Sequence, residues 1–261
     1  MTNLLRKARV AVTPRSWMLK RALSNGAIVC GRNRAGHGGR SVYLEGDAVE
    51  PELEYMEQLL PRDAVFIDVG ANNGMYTVEA AKHLHEGLVI AVEPGVDALT
   101  MLAYNIKLNG LDNVRLRNLC IAEHTGEGTL WLNQGKPNAF SLLKKSGNAA
   151  HTSVLTVSLD DLCSWEGLTR LDYVKADVAG GEERILAGAA RTISRFRPIF
   201  QLAINLYTVS MTLPQYSAYQ FPGDLPSKLV FIPDGDERVR QFQISGWRRI
   251  DSDRVAAHAS P

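Results

Sequence analysis

Cysteine is scarce in this sequence, and its arrangement excludes a fold held by disulfides or by a zinc ion. The 261 residues contain three cysteines, Cys30, Cys120 and Cys163, at wide spacing. An odd number of cysteines without a C-x-x-C pair is typical of neither a disulfide framework nor a zinc site. We therefore expect the chain to fold in a reducing compartment, the cytoplasm.

Long apolar runs are also missing. No run of about 18 apolar residues occurs, although a membrane-spanning helix would require one. The N-terminal segment is interrupted by Arg6, Lys7, Arg9, Pro14 and Arg15, so we expect no secretion signal there. Hydrophobic residues make up 45% of the chain and charged residues 22%, a balance that excludes disordered, collagen-like and coiled-coil chains.

Acidic residues are absent from the first 44 positions, which carry nine lysines and arginines. Since the whole chain has a net charge of +1, the remaining residues sum to −8. Such a basic arm could bind an anionic partner, whether a membrane surface, a phosphorylated substrate or the acidic face of another subunit. The alternative is a solvated helical arm without a partner.

Short apolar runs alternate with segments of helical periodicity through the middle of the chain. The pattern predicts strands over residues 64–69, 88–93, 114–119, 154–159, 171–177 and 198–205, and a short exposed strand over 126–133. It predicts helices over 74–85, 99–108 and 182–196, and a short helix that Asp160 or Asp161 caps. This alternation indicates a parallel sheet with helices on both faces, because parallel neighbours need crossover connections.

The two ends of the chain follow different patterns. Prolines and a glycine predict a loop near the C-terminus, at Pro214, Pro222, Gly223 and Pro226. Strands over 228–233 and 238–250, around an Asp234-Gly235 turn, would then close one edge of the sheet. We expect residues 1–60 to form an N-terminal cap, with helices near 3–23 and 50–60 and a short strand pair between them, and residues 61–261 to form the main domain.

A glycine-containing turn follows the first buried strand. It reads Asp68-Val-Gly70-Ala-Asn72-Asn73-Gly74 and lies where the strand turns into a helix. Glycine lets the backbone pass close to a ligand, and the helix that follows presents free N–H groups. Many helices begin in this way for packing reasons, so the turn alone does not establish a binding site.

Glu93 adds a second feature, because it lies at the carboxyl end of the next strand. Acids at this place in nucleotide-binding sheets accept hydrogen bonds from two ribose hydroxyls. Asp68 beside the turn would repel a pyrophosphate but attract a cationic amino-acid group, and position 72 carries Asn where a dinucleotide fingerprint has Gly. These residues favour S-adenosylmethionine over NAD.

The sequence resembles the FkbM-type S-adenosylmethionine-dependent methyltransferases. The similar stretches are residues 66–77, 91–94, 105–109, 157–162 and 173–182, with weaker similarity onward to 228–233. The resemblance implies a class I methyltransferase fold, Rossmann-like, with a seven-stranded, mostly parallel sheet, and makes 61–261 the cofactor-binding domain. It also implies O-methylation of a hydroxyl on a sugar, glycan, polyketide or other natural product.

The resemblance implies roles for individual residues. The methionine part of the cofactor would be surrounded by residues of the first turn and helix, namely Asp68, Gly70, Asn72, Asn73, Gly74, Tyr76 and Thr77. Glu93 would hold the ribose. Three residues at the end of the third strand, Asn118, Ile121 and Ala122, would approach the adenine.

The chain departs from the family pattern where acceptor-facing groups are expected. It keeps Lys175, Asp177, Gly180 and Glu182, but has Ala179 where relatives carry Glu and Ala203 where they often carry an acid. Asp177 is the first candidate for the proton acceptor, and Lys175 could position the acceptor or stabilise negative charge. Glu182 could join the site or only favour the N-terminus of its helix.

Three explanations of the two alanines stay open. The chain could be an inactivated variant, it could use another base, or the alignment at position 203 could be wrong. A divalent metal is a further option, for which Asp177, Glu182 and Asn205 would offer oxygen ligands.

Two other functions remain as alternatives to methyl transfer. A non-catalytic methyltransferase-like binding protein would explain Ala179 and Ala203, and a nicotinamide-dependent oxidoreductase is disfavoured by Asn72. We expect a small-molecule or glycan acceptor and no nucleic acid, because basic and aromatic residues do not interleave outside the arm. The chain could form a homo-oligomer.

Overall fold

The computed structural model describes residues 2–34, 38–132, 140–142, 150–178, 180–203, 213–222, 228–239 and 246–250. Their helices are α1 Asn3–Val12, α2 Gly39–Glu45, α3 Met56–Leu59, α4 Met75–His83, α5 Val96–Leu108, α6 Leu159–Trp165, α7 Glu182–Ala187 and α8 Ala190–Phe196. Two short 3-10 helices cover Gly46–Val49 and Pro51–Tyr55. Within the described ranges, no helix is both long and apolar enough to cross a bilayer.

The same described residues also form fourteen strands. In chain order, the first seven are β1 Met18–Ala22, β2 Ile28–Arg32, β3 Val65–Val69, β4 Leu88–Val92, β5 Val114–Arg117, β6 Cys120–Ala122 and β7 Gly126–Leu132. The others are β8 Phe140–Ser141, β9 His151–Ser158, β10 Tyr173–Ala176, β11 Ile199–Leu202, β12 Tyr216–Gln220, β13 Leu229–Pro233 and β14 Arg248–Ile250.

The main sheet is mixed. Its order is β14-β12-β13-β11-β10-β3-β4-β5. The five strands from β11 to β5 run parallel, and β13, β12 and β14 pair antiparallel at the other edge. An α/β architecture with an antiparallel edge is therefore confirmed, but the described residues form eight strands in this sheet where seven were predicted.

Helices cover both faces of the sheet, as predicted. Because strand side chains alternate, Ile67 and Val69 on one face pack with Leu162 of α6 and Ile185 of α7. Phe66 on the opposite face packs with residues of α3 and α4. On that same face, Leu102 of α5 packs on Ala71 and Ala91.

Several predicted elements differ in extent. The helix predicted over 182–196 is two helices, because the carboxylate of Asp160 accepts hydrogen bonds from the N–H groups of Arg191 (3.0 Å) and Thr192 (2.7 Å) and begins α8 anew. The N-cap of α6 is Ser158, whose hydroxyl accepts from the N–H of Asp161 at 3.1 Å; neither predicted aspartate caps it. The helix predicted over 3–23 ends at Val12, and its second half is β1.

The strands at the antiparallel edge of the main sheet also pair differently from the prediction. The strands predicted over 228–233 and 238–250 do not form a hairpin together, because β13 and β14 both pair with β12. β12 lies in the segment predicted as a loop, where Pro214 and Pro222 flank five residues that form a strand. The strand predicted over 114–119 is β5 alone, since β6 joins a separate four-stranded sheet of order β6-β9-β7-β8.

The N-terminal segment contains the predicted strand pair as the antiparallel hairpin β1–β2. Asn105 of α5 and Asn109, directly after its end, hold this hairpin. Asn105 bonds the backbone N–H (2.9 Å) and carbonyl (2.8 Å) of Cys30, and Asn109 bonds those of Ile28 at 2.7 Å each. The hairpin is thereby fixed against the helix that follows Glu93. A domain boundary at residue 60 stays a prediction.

Candidate active site

The turn after β3 is held against the end of β4. The N–H groups of Gly70 and Ala71 both donate to the carbonyl of Val92, each at 3.0 Å. Gly70 has φ +72°, and a Cβ there would lie 2.4 Å from the carbonyl oxygen of Asp177. Glycine is required at this position, because the backbones following β3 and β10 pass too closely for a side chain.

Glu93 lies directly beside this turn. Its side chain accepts hydrogen bonds from the N–H of Asn72 and the N–H of Gly95, both at 2.8 Å, and the residue is 5% exposed. Burial raises the pKa of Glu93, and the two N–H donors oppose that rise. Since a carboxylate offers about four lone-pair sites, each oxygen can still accept a hydrogen bond from a ligand hydroxyl.

A cavity of about 100 Å³ opens beside Glu93, where β3, β4 and β10 end and β6 begins. It brings together five of the predicted residues, Gly70, Asn72, Glu93, Ile121 and Asp177. The sequence did not indicate its remaining walls, which are Val69, Val92, Pro94, Leu119, Cys120, Leu130, Ser141, Leu142, Val178 and Gly181. The cavity thus presents one buried carboxylate among largely apolar side chains, as an adenosine-like ligand requires.

A second cavity, of about 220 Å³, lies on the other side of the turn. It shares Gly70, Asn72, Asp177 and Val178 with the first cavity. Its other walls include Asn73, Tyr76 and Lys175, which were predicted, and Glu50, which was not. Asp177 is exposed and borders both cavities, so a group bound in one can face a group bound in the other.

Asp68 does not face either of these two cavities. Its side chain is fully buried, with Lys175 Nζ 3.1 Å from Oδ1 and the Thr77 hydroxyl donating to Oδ2 at 2.7 Å. Lys175 balances this charge, so the described contacts of Asp68 are structural, and the expectation that Asp68 attracts a cationic cofactor group stays a prediction. Thr77 likewise supports Asp68 and does not contact the cavity.

Lys175 is buried between several acidic groups. Burial alone would lower the pKa of Lys175, but the carboxylates of Asp68, Asp177 and Glu50 raise it, and the net shift is upward. Its ammonium also donates to the carbonyl of Gly70 at 3.1 Å. The protonated side chain of Lys175 therefore holds the turn after β3 in place through the carbonyl of Gly70.

Tyr76 joins a buried polar network behind the second cavity. Its hydroxyl donates to Glu52 and accepts from Gln201 Nε2 at 2.9 Å and from Lys228 Nζ at 3.1 Å. Burial, with the nearby carboxylates of Glu52 and Glu50, raises the pKa of Tyr76 well above its ordinary value. Tyr76 is thus a neutral hydrogen-bonding group at the wall of the cavity.

Glu50 is the main functional candidate that the sequence analysis missed. Lys228 Nζ binds the carboxylates of both Glu50 and Glu52. Burial raises the pKa of Glu50, and the ammonium of Lys228 opposes this shift. No motif marks Glu50, because it lies in the N-terminal segment and reaches the cavity only through the fold.

The other predicted cofactor residues have mainly structural contacts. Gly74 has φ +89°, and a Cβ there would meet Leu102 of α5 at 2.3 Å. Asn118 donates to the carbonyls of Glu93 (2.9 Å) and Pro94 (3.0 Å), so it braces the segment that carries Glu93. Ala122 is buried beside Ile121, outside the walls of the two cavities.

The predicted catalytic residues are only partly brought together. Glu182 is buried, and its carboxylate accepts the N–H of Val178 at 3.2 Å, which closes the loop before α7. Burial raises the pKa of Glu182. Ala203 is half-buried and extends the pairing of β10 with β11 by one hydrogen bond, because its N–H donates to the carbonyl of Ala176 at 2.9 Å. Ala179 and Asn205 lie outside the described residues.

The described residues do not assemble a metal site. Among them, no group of three or more His, Cys, Asp or Glu side chains is placed to hold one ion. Asp177 and Glu182 are the described members of the predicted ligand set, and the carboxylate of Glu182 is bonded to its own loop. The residues present therefore fit a nucleoside better than a divalent cation.

Comparison with known proteins identifies the family. A family model described as the methyltransferase FkbM domain matches residues 68–234. A curated relative, the 2-O-methyltransferase NoeI of Sinorhizobium fredii, is 23% identical over 195 residues, which are 69% of this chain and 79% of the relative.

Solved structures with partial similarity include two methyltransferases. The FkbM methyltransferase of Methylobacillus flagellatus has a TM-score of 0.45 and 18% identity, over 74% of this chain and 54% of its own. A SAM-dependent methyltransferase of Agrobacterium tumefaciens has a TM-score of 0.44 and 10% identity, over 74% of this chain and 55% of its own. This chain thus spans about half the length of both structures.

The matched family region contains the glycine turn, Glu93 and the ends of β10 and β11, which are the segments that build the two cavities. It also covers more than half of the chain. This protein therefore belongs to the FkbM methyltransferase family.

Proposed function

We propose that the protein is an S-adenosylmethionine-dependent O-methyltransferase with a class I fold. The observation that carries this proposal is the position of Glu93, a buried carboxylate with free lone pairs beside the Gly70 turn and the apolar wall around Ile121. A ribose needs such an acceptor, and an adenine needs such an apolar wall. The three buried free cysteines support a reducing compartment, the cytoplasm.

The cavities suggest how the chain would bind the two reactants. Glu93 would hold the ribose hydroxyls, and Ile121 would contact the adenine. The Gly70 turn, fixed by Lys175, would lie along the remainder of the cofactor. S-adenosylmethionine supplies an electrophilic methyl group on its sulfonium when it is bound.

The acceptor would bind in the second cavity, beyond Asp177. Its hydroxyl must lose a proton, and the exposed carboxylate of Asp177 can accept that proton at the border of the two cavities. Glu50 would hydrogen-bond the acceptor and orient its oxygen, because proximity supplies much of the acceleration in such a transfer. Lys175 acts through the turn and is a positioning residue.

The acceptor class is proposed to be a sugar, a glycan or a related natural product. Support comes from the polar walls of the second cavity, which offer Glu50 and Asn73 to hydroxyl groups. The relative's activity, a 2-O-methyltransferase by name, supports oxygen as the methylated atom.

The direct test is an incubation with S-adenosylmethionine and candidate sugars, with and without magnesium, followed by mass spectrometry. We expect a product heavier by one methyl group in place of hydrogen, and we expect Asp177→Asn to lower the rate at least about a hundredfold. Absence of product from every acceptor, while the folded protein also fails to bind S-adenosylhomocysteine, would refute the proposal.

An inactivated enzyme is the second candidate, because Ala203 replaces an expected acid at the end of β11. The double substitution Ala179→Glu with Ala203→Glu distinguishes the two. Methyl transfer by the unmodified chain supports an active enzyme, whereas transfer by the double variant alone would show that the two alanines inactivate it.

A further inference from the structure

Helix α1 has an apolar side that faces away from the protein. At 100° per residue, Leu4, Leu5, Ala8 and Val12 lie on one side of this helix. All four are exposed, with Leu4 78% and Val12 81% exposed, and α1 contains no buried residue. Exposed large aliphatic side chains on one helix side indicate a surface that another molecule covers.

The opposite side of α1 attaches the helix to the rest of the protein. Asn33 Nδ2 donates to the carbonyls of Val10 (2.9 Å) and Thr13 (2.7 Å), at the C-terminal end of the helix. Arg9 lies 6.0 Å from the ring centroid of Tyr43. The orientation of the apolar side toward solvent is therefore fixed by contacts of the helix with the β1–β2 hairpin and α2.

Lys7 and Arg9 flank this apolar side on the helix, and further basic and aromatic residues follow α1 in the chain. Lys7, Arg9, Arg15 and Lys20 are exposed, and within the described part of the chain none of the four forms an ion pair. Trp17, 64% exposed, follows α1 immediately before β1. Cations beside an exposed apolar helix side, with a tryptophan next to them, are typical of helices that lie in a membrane interface.

We propose that α1 and Trp17 dock the protein on an anionic lipid surface, with α1 lying in the plane of the headgroups. The first 44 residues carry nine cations and no acid, which gives the charge complementarity that such lipids require. A helix of ten residues covers about 15 Å, half of a hydrocarbon core, so it lies on the bilayer. This proposal is independent of the proposed methyl transfer.

A second copy of the chain is the competing occupant. In a two-fold dimer through α1, the same patch of each copy would meet, and Lys7 and Arg9 of the two copies would repel each other. Apart from Trp17 and its neighbour Met18 in β1, the large exposed apolar residues described outside α1 are Val96, Tyr104, Leu155 and Trp165, which lie in three other elements. They provide no comparable apolar partner surface for α1.

Vesicle flotation of the full chain tests the proposal. We expect binding to vesicles of phosphatidylcholine mixed with phosphatidylglycerol, weak binding to phosphatidylcholine alone, and weakening by salt. Leu4→Gln with Leu5→Gln should lower the partition coefficient at least about tenfold, and Lys7→Gln with Arg15→Gln about tenfold or more. Leu155→Gln, an exposed leucine on β9, should leave the coefficient unchanged.

Two further measurements keep the result interpretable. Circular dichroism melting should be the same for all variants, because the substituted side chains are exposed. Light scattering without vesicles should show one size for wild type and Leu4→Gln/Leu5→Gln. Failure of the wild type to bind anionic vesicles would overturn the proposal, and so would a dimer that the leucine substitutions dissociate.

Discussion

Glu93 is the residue on which cofactor recognition depends most. Glu93→Gln keeps the shape of the side chain but replaces one acceptor oxygen with a donor and removes the charge. We expect S-adenosylhomocysteine to bind roughly 10 to 100 times more weakly to this variant, because hydrogen bonds to a charged group contribute about 1.5–3 kcal/mol. Isothermal titration measures the change.

The matched control for that experiment is Glu86→Gln, an exposed glutamate before β4. It should bind S-adenosylhomocysteine like the wild type. Equal affinities of Glu93→Gln and wild type would contradict the assignment of Glu93 to the ribose.

Lys175 and Asp68 form the buried ion pair beneath the turn. Lys175→Met leaves the carboxylate of Asp68 buried without its cation, so we expect a loss of about 3–5 kcal/mol in the free energy of unfolding. Adding Asp68→Asn should recover part of that loss, because the uncompensated charge is gone. Urea unfolding measures the free energy of unfolding of the single and the double variant.

Lys107→Met, at an exposed position on α5, is the control and should change the free energy of unfolding by less than about 1 kcal/mol. A loss for Lys175→Met no larger than this would show that the ion pair is not structurally important.

At the scale of residues, the sequence predicts some roles and not others. Glu93 and Gly70 could be predicted because both follow buried strands, and the ends of parallel strands meet at one edge. The neutralisation of Asp68 by Lys175 could not be, because it depends on the register of β3 against β10. Glu50 lies 18 residues before Asp68 and reaches the cavity by tertiary contact alone.

The turn between β3 and α4 can be tested as an element. Gly70 and Gly110 both have positive φ, but an added Cβ contacts nothing within 4 Å at Gly110 and meets a backbone carbonyl at Gly70. Gly110→Ala should lower the free energy of unfolding by about 1–2 kcal/mol, because alanine is strained at positive φ even where its Cβ meets no other atom. Gly70→Ala should cost about 1–3 kcal/mol more and should also weaken binding of S-adenosylhomocysteine. Equal costs for the two variants would show that the close approach to Asp177 is absent.

Helix α7 is held to the end of β6 by the ion pair of Glu123 with Arg184. The hydrogen bond from Arg184 lowers the pKa of Glu123 from its ordinary 4.5 to about 2. Because this pKa is lower in the folded state, the pair stabilises the fold above pH 4.5, and that stability is lost as the pH falls from 4.5 toward 2.

Glu123→Gln should therefore cost about 1 kcal/mol or less near neutral pH, since the pair is partly exposed. The difference from wild type should shrink on acidification, as followed by urea unfolding at several pH values. Glu127→Gln, an exposed change on β7, should show no such trend. A difference that stays constant down to pH 2 would contradict the shift.

Elements with long periodic patterns were predictable, and those set by tertiary contacts were not. α4 and α5 follow clear apolar periodicity, and the structure contains both. The break between α7 and α8 depends on Asp160, which lies 30 residues before α8 and binds its first N–H groups. β12 is stabilised by pairing with β13 and β14, which no local pattern reveals.

For the whole molecule, the order of strands and helices predicts the α/β class and the antiparallel edge. It does not reveal the separate four-stranded sheet, because β6 lies only two residues beyond β5 in the chain and yet pairs with β9. That sheet contributes Leu130 and Ser141 to the wall of the first cavity. The pocket beside Glu93 is therefore assembled from both sheets, which helps to explain why ten of its fifteen wall residues were missed.

The most direct test of the account is a crystal structure of the protein with S-adenosylhomocysteine. We predict that both ribose hydroxyls lie within hydrogen-bonding distance of Glu93, that the adenine contacts Ile121, and that the sulfur faces Asp177. A nucleoside bound elsewhere, or a Glu93 side chain without contact to the ribose, would contradict the account.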